Sequence, residues 1–174
     1  PLMFANNLFV GALGDQRAIA RTLRLSTLFI LTAVAVAIAF RAGVFNIGVQ
    51  GQFIVGGIAC TMSIVWSAPY LPEGTLGGIG LMVIGTVVAA LAGGLYGALP
   101  GVLKAYADAN EIITTIMLNF IAIGAVTWLV TNPLRQPGST VRQTKSIPEY
   151  VELPPLLLGE SNFSIVGFAL TIAL

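Results

Sequence analysis

The sequence predicts an all-α polytopic membrane protein, a helical transmembrane bundle, and three observations carry that expectation. Of its 174 residues 56% are hydrophobic and 9% charged, against roughly 25% charged in a soluble domain. Mean hydropathy is +0.92. The apolar residues fall into runs of about 20, the length a helix needs to cross a hydrocarbon core roughly 30 Å thick, and proline, glycine and charged residues separate the runs. Histidine is absent and the single cysteine, Cys60, lies inside an apolar run, which leaves no material for a disulfide framework or a Cys/His metal site. With a net charge of +1 and no basic stripe, nucleic-acid binding has no electrostatic footprint.

Four complete spans and a truncated fifth are expected along residues 1–174. The first covers about 22–40, "TLRLSTLFILTAVAVAIAF", and ends at Arg41 and Gly43. The second covers about 49–66, with Trp66 and Tyr70 suited to an interfacial aromatic belt and Pro69 and Pro72 marking a loop. The third, about 76–99, is closed by Pro100 and Gly101, and the fourth, about 110–130, by Asn132 and Pro133. Residues 132–163 are rich in proline and polar side chains and too long for a simple helix hairpin, so they should lie outside the hydrocarbon, with room for a short helix or strand. The fifth span, 164–174, stops within an apolar run, and the chain starts at Pro1 without a signal-peptide pattern, so it reads as a fragment, a partial transmembrane domain. The N-terminal stretch fits an interfacial helix or the tail of an earlier span equally well.

Three patterns carry more than hydropathy. Gly85, Ala89, Gly93, Gly97 and Gly101 recur every fourth residue, so they line one helix face and admit a second backbone. In "NEIITTIMLNF", Glu111, Thr115 and Asn119 follow at i, i+4 and i+8, with Asn110 and Thr114 in an adjacent row. Such a stripe should face protein or a water-filled path, because lipid would leave its groups unsatisfied. Glu111 also reads as an interfacial carboxylate favoured by a helix dipole, and Asn119 as a helix–helix hydrogen bond. The third pattern is "GVFNIGVQGQ", in which Gly43, Gly48 and Gly51 relax the backbone while Asn46, Gln50 and Gln52 offer donors and acceptors. It reads as a helix break whose peptide groups are satisfied locally, or as a polar turn at the membrane surface.

"FRAGVFNIGVQGQFIVGG" followed by "GALPGVLKAYADANEIITTIMLNFIA" resembles the permease subunit of ATP-binding-cassette importers of the nucleoside and simple-sugar type, within the larger group of ribose and branched-chain amino acid permeases. The likeness covers roughly residues 22–130 well and the long loop loosely, and the two motifs together point to the nucleoside-like branch. One position departs. The family usually has glutamate where this chain has Gln50, a change that keeps size and hydrogen bonding and removes the charge.

The resemblance implies a multi-pass protein of a prokaryotic inner or plasma membrane. Its partners would be a second permease subunit, cytoplasmic ATPase subunits that bind ATP and Mg, an extracytoplasmic substrate-binding protein and the lipid bilayer, with no cofactor in this chain. ATP hydrolysis would belong to the partner, consistent with the lack of a GxxxxGK[ST] loop. Counting Lys and Arg places Arg17, Arg21, Arg24, Arg135, Arg142 and Lys145 on one side and Arg41 and Lys104 on the other, which would make the first side cytoplasmic. The family implies the reverse, with the Lys104 loop inside and 132–163 outside, and long loops translocate largely regardless of charge.

The expected function is alternating access, in which Asn46, Gln50, Gln52, Glu111, Thr115 and Asn119 line or brace a passage for a polar solute and the glycine row lets helices pack and shift. A pentose, a hexose or a branched-chain amino acid are the alternative solutes, and an ATP-independent channel is a rival. An intramembrane enzyme would need a nucleophile with a base or a metal set, yet Glu111 is the only acid within a candidate span.

Overall fold

The computed structural model describes residues 2–151, which leaves the expected fifth span and the end of the long loop outside the described residues. The described residues form five α-helices and two short 3-10 turns, without strands: α1 (Leu2–Leu13), α2 (Gln16–Arg41), α3 (Val49–Ser67), α4 (Thr75–Ala107) and α5 (Glu111–Thr131), with the 3-10 turns at Ala68–Tyr70 and Glu149–Val151. α2, α4, α5 and the stretch Val49–Tyr70 are each long and apolar enough to cross a membrane. The fold is all-α, as the apolar runs require.

The chain divides into two compact units, the first reaching Ala37 and the second running Ile38–Glu152. In the first, the N-terminal stretch is a helix that breaks at Gly14, where a Cβ would collide with the Val10 carbonyl. Asp15 then opens α2 by accepting the Ala18 N–H at 2.6 Å, as N-cap side chains do. The Thr22 hydroxyl donates to the Ala12 carbonyl at 2.8 Å and ties the two helices together across the break.

In the second unit α2 ends where "RAG" suggests. The Val44 N–H donates to the Ala39 carbonyl, the Gly43 N–H to the Phe40 carbonyl, and Gly43 has φ +77°. This is a Schellman termination, which needs a left-handed residue that glycine supplies without a Cβ penalty.

α3 packs along α4 with small residues on both sides. A Cβ at Gly56 would stand 3.1 Å from the Ala89 carbonyl, and one at Gly93 would stand 3.2 Å from the Gln52 carbonyl. Gly85 lies under Ile64 and Cys60, and Gly97 under the Gln52 amide, where an added Cβ would stand 2.8 and 3.0 Å respectively from the nearest side-chain atom. Gly101, expected in the same row, departs from it: a Cβ there meets nothing within 4 Å among the described residues. The reason is that α4 does not stop at Pro100. It continues to Ala107 with Pro100 buried inside it, so that Gly101 lies on the extension beyond the α3 contact. At 33 residues the helix is about 50 Å long, well beyond the hydrocarbon thickness. Asp108, at φ +47°, ends it in the left-handed conformation.

The long loop returns to the bundle. Val151 is buried with Ile64 and Leu81 in an apolar cluster that Cys60, Leu71, Met82, Ile147 and Tyr150 complete. A Cβ at Gly78 would collide with the Tyr150 carbonyl, so the 3-10 turn at Glu149–Val151 sits directly on the backbone of α4.

Candidate functional site

The connection between α2 and α3 releases peptide groups that no helix satisfies, and their partners come from two places, the connection itself and α5. Gly48, the N-cap residue of α3, has no side chain to offer the first turn. Within the connection, Asn46 Oδ1 accepts the Gly48 N–H at 2.9 Å and the Gln52 Nε2 at 3.2 Å. From α5, Asn119 Oδ1 accepts the Gly51 N–H at 2.8 Å while its Nδ2 donates to the Ile47 carbonyl at 3.0 Å. The amide is thus spent at both ends on backbone, and the demand for one acceptor and one donor fixes which atom is oxygen. Glu111, the first residue of α5, accepts the Phe45 N–H on Oε1 at 3.2 Å, where the helix dipole also favours a carboxylate. The Phe45 ring in turn packs against that of Phe40 in a tilted arrangement, with ring centroids 5.3 Å apart and an interplanar angle of 52°.

Glycine permits the close approach. A Cβ at Gly48 would stand 3.2 Å from the Thr115 Cβ, and one at Gly51 would stand 2.9 Å from Asn119 Oδ1. Thr115 is fully buried at this contact, and its hydroxyl donates to the Glu111 and Ile112 carbonyls of its own helix. Asn110 caps α5 by accepting the Ile112 and Ile113 N–H groups, and Thr114 bonds back to the Asn110 and Glu111 carbonyls.

Five of the six residues expected to line or brace a passage therefore meet: Asn46, Gln52, Glu111, Thr115 and Asn119. Gln50 stands apart. It is exposed on the first turn of α3, and its side chain makes no hydrogen bond among the described residues. Sequence reasoning missed Tyr96, whose hydroxyl donates to the Leu118 carbonyl at 2.7 Å while its ring lies 3.3 Å from a Cβ built on Gly51. The available signal was its place between Gly93 and Gly97, as the one aromatic residue in the stretch from Gly85 to Gly101. No group of three or more His, Cys, Asp or Glu suited to a metal lies among the described residues.

Residues 18–174 match the family described as branched-chain amino acid transport system, permease component. The chain is 36% identical over 172 residues to the guanosine ABC transporter permease protein NupP of Bacillus subtilis, covering 96% of this chain and 45% of that protein. It is 36% identical over 150 residues to the nucleoside ABC transporter permease protein NupB of Lactococcus lactis, covering 84% and 40%. To the glucose ABC transporter permease protein TsgB13 of Haloferax volcanii it is 31% identical over 149 residues, covering 86% and 37%. The chain thus spans less than half the length of these curated relatives. No solved structure matches it. A helix set able to cross a membrane, the α2–α3 connection bound to α5, and a family match over residues 18–174 converge on one assignment: the chain belongs to the permease component family of branched-chain amino acid type transport systems.

Proposed function

We propose that this chain is part of the permease subunit of an ATP-driven importer of nucleosides or related ribose-containing solutes, working by alternating access. The observation that carries the substrate class is the 36% identity to a guanosine and a nucleoside permease. The glucose permease at 31% supports the second reading, a simple-sugar importer of the same architecture.

In this reading the chain contributes helices to the pathway and no catalytic group. ATP and Mg are bound by cytoplasmic ATPase subunits, a second permease subunit completes the pathway, and an extracytoplasmic binding protein delivers the solute. The membrane is a prokaryotic plasma membrane, with the Lys104 end inside and the 132–151 segment outside. Asn46, Gln52, Glu111, Thr115 and Asn119 brace the wall, since each holds a backbone group or another of the five by a hydrogen bond. Gln50 meets the solute, a role its exposed amide supports by making no hydrogen bond among the described residues. Weak two-way contacts of this kind suit hydroxyls and base edges that must be released again.

The test is ATP-dependent uptake of labelled uridine and adenosine in cells carrying the full-length gene with its neighbouring transporter genes, with unlabelled ribose as competitor. Uptake that resists ribose and disappears when the ATPase is inactivated is the expected result. Strong competition by ribose, or no nucleoside uptake by an assembled complex, moves the assignment to a sugar permease.

A further inference from the structure

Tyr96 touches both elements that Asn119 joins. Its hydroxyl reaches the carbonyl of Leu118, one residue before Asn119 on α5, and its ring lies against Gly51, whose N–H Asn119 accepts. A side chain from α4 thereby wedges the joint between α3 and α5. Next to it, Gly97 lies under the Gln52 amide, so consecutive residues of α4 meet consecutive residues in the first turn of α3.

Pro100, buried within α4, adds a second, independent observation. Proline has no N–H, so the carbonyl four residues earlier, that of Tyr96, loses its helical donor. The hydrogen-bond ladder of α4 is therefore interrupted at the turn that carries Tyr96.

We propose that Tyr96 is a positioning residue of the solute path: through Leu118 and Gly51 it sets where the first turn of α3, and Gln50 upon it, stands. The proposal deepens the function proposed above and rests on it for the claim that Gln50 meets the solute. Tyr96→Phe isolates the effect, because the ring remains wedged and the Leu118 carbonyl keeps the N–H of its own helix. The variant should fold.

Uridine uptake by the complete transporter is measured for Tyr96 and for Tyr96→Phe at matched membrane abundance. The expected result is an apparent KM raised about threefold or more, the scale of one net hydrogen bond, with the maximal rate within about twofold of the parent. A merely structural role would lower abundance and maximal rate together at constant KM, and that result overturns the proposal. A second readout needs no substrate: with Cys60→Ser removing the natural thiol, Gln50→Cys is labelled with a small maleimide in membranes. Tyr96→Phe should change the labelling rate about threefold in either direction, on the same scale. Where the assembled parent takes up no nucleoside, the nucleoside reading fails while labelling still decides: a changed rate supports the positioning role and an unchanged one overturns it.

Discussion

The two ends of the α3–α4–α5 block are held by different physics. At one end Asn46, Asn119 and Glu111 bind the peptide groups of Phe45, Ile47, Gly48 and Gly51. At the other Ile64, Leu81 and Val151 pack together, with Gly77 and Gly78 admitting the backbones of Pro72 and Tyr150. In a bilayer the second kind of contact has less to gain, because lipid tails are as apolar as leucine and only packing distinguishes one neighbour from another. A peptide group at membrane depth has no substitute partner in lipid. The polar end therefore fixes register, and the apolar end fills space around it.

Asn119→Leu tests this difference most severely. It strands the N–H of the buried Gly51, which costs about 1–3 kcal/mol without a partner, and also frees the carbonyl of the more exposed Ile47, which adds less. Membrane abundance and the thermal midpoint of the detergent-solubilised complex should both fall, and uptake with them. Unchanged uptake at unchanged abundance would remove Asn119 from the wall of the pathway and leave the polar end without its special status.

Leu81→Ala probes the apolar end and should cost less. Leu81 is fully buried, and such truncations cost about 2–5 kcal/mol in water. Here about 2 kcal/mol is expected, at the low end of that range, because lipid replaces part of the lost environment and the cavity remains. The thermal midpoint should drop while the KM for solute stays put. A raised KM at normal abundance would show that the cluster around Val151 communicates with the solute path, and the contrast between the ends would collapse.

The same contrast explains what was legible in the sequence. Apolar runs announced the helices, and the spacing of Glu111, Thr115 and Asn119 announced a polar face on α5, because both signals are local. That Asn119 caps α3 in place of the side chain Gly48 lacks was not legible, since the partner lies 68 residues away. Pro100 misled too: proline is a fair signal of a helix end, yet α4 runs through a buried Pro100 to Ala107. Tyr96 was hidden by its surroundings: amid glycines it reads as packing, and only the distance to Leu118 gives its hydroxyl a task.

Gln50→Glu should produce the smallest structural effect and sharpens the comparison most. The side chain is exposed and makes no hydrogen bond among the described residues, so no bracket breaks when its amide becomes a carboxylate. Exposed substitutions away from such features usually fall within about 0.5 kcal/mol, and abundance and thermal midpoint should remain at the parent's values. If Gln50 meets solute as proposed, uptake should still respond, because a charge introduced there alters weak contacts suited to release. A KM shift without a stability shift separates Gln50 from the five residues that brace the turn. A loss of abundance comparable to that of Asn119→Leu would instead mean that Gln50 is enclosed in the assembled transporter, and the brace would then extend across the first turn of α3 to whatever encloses it.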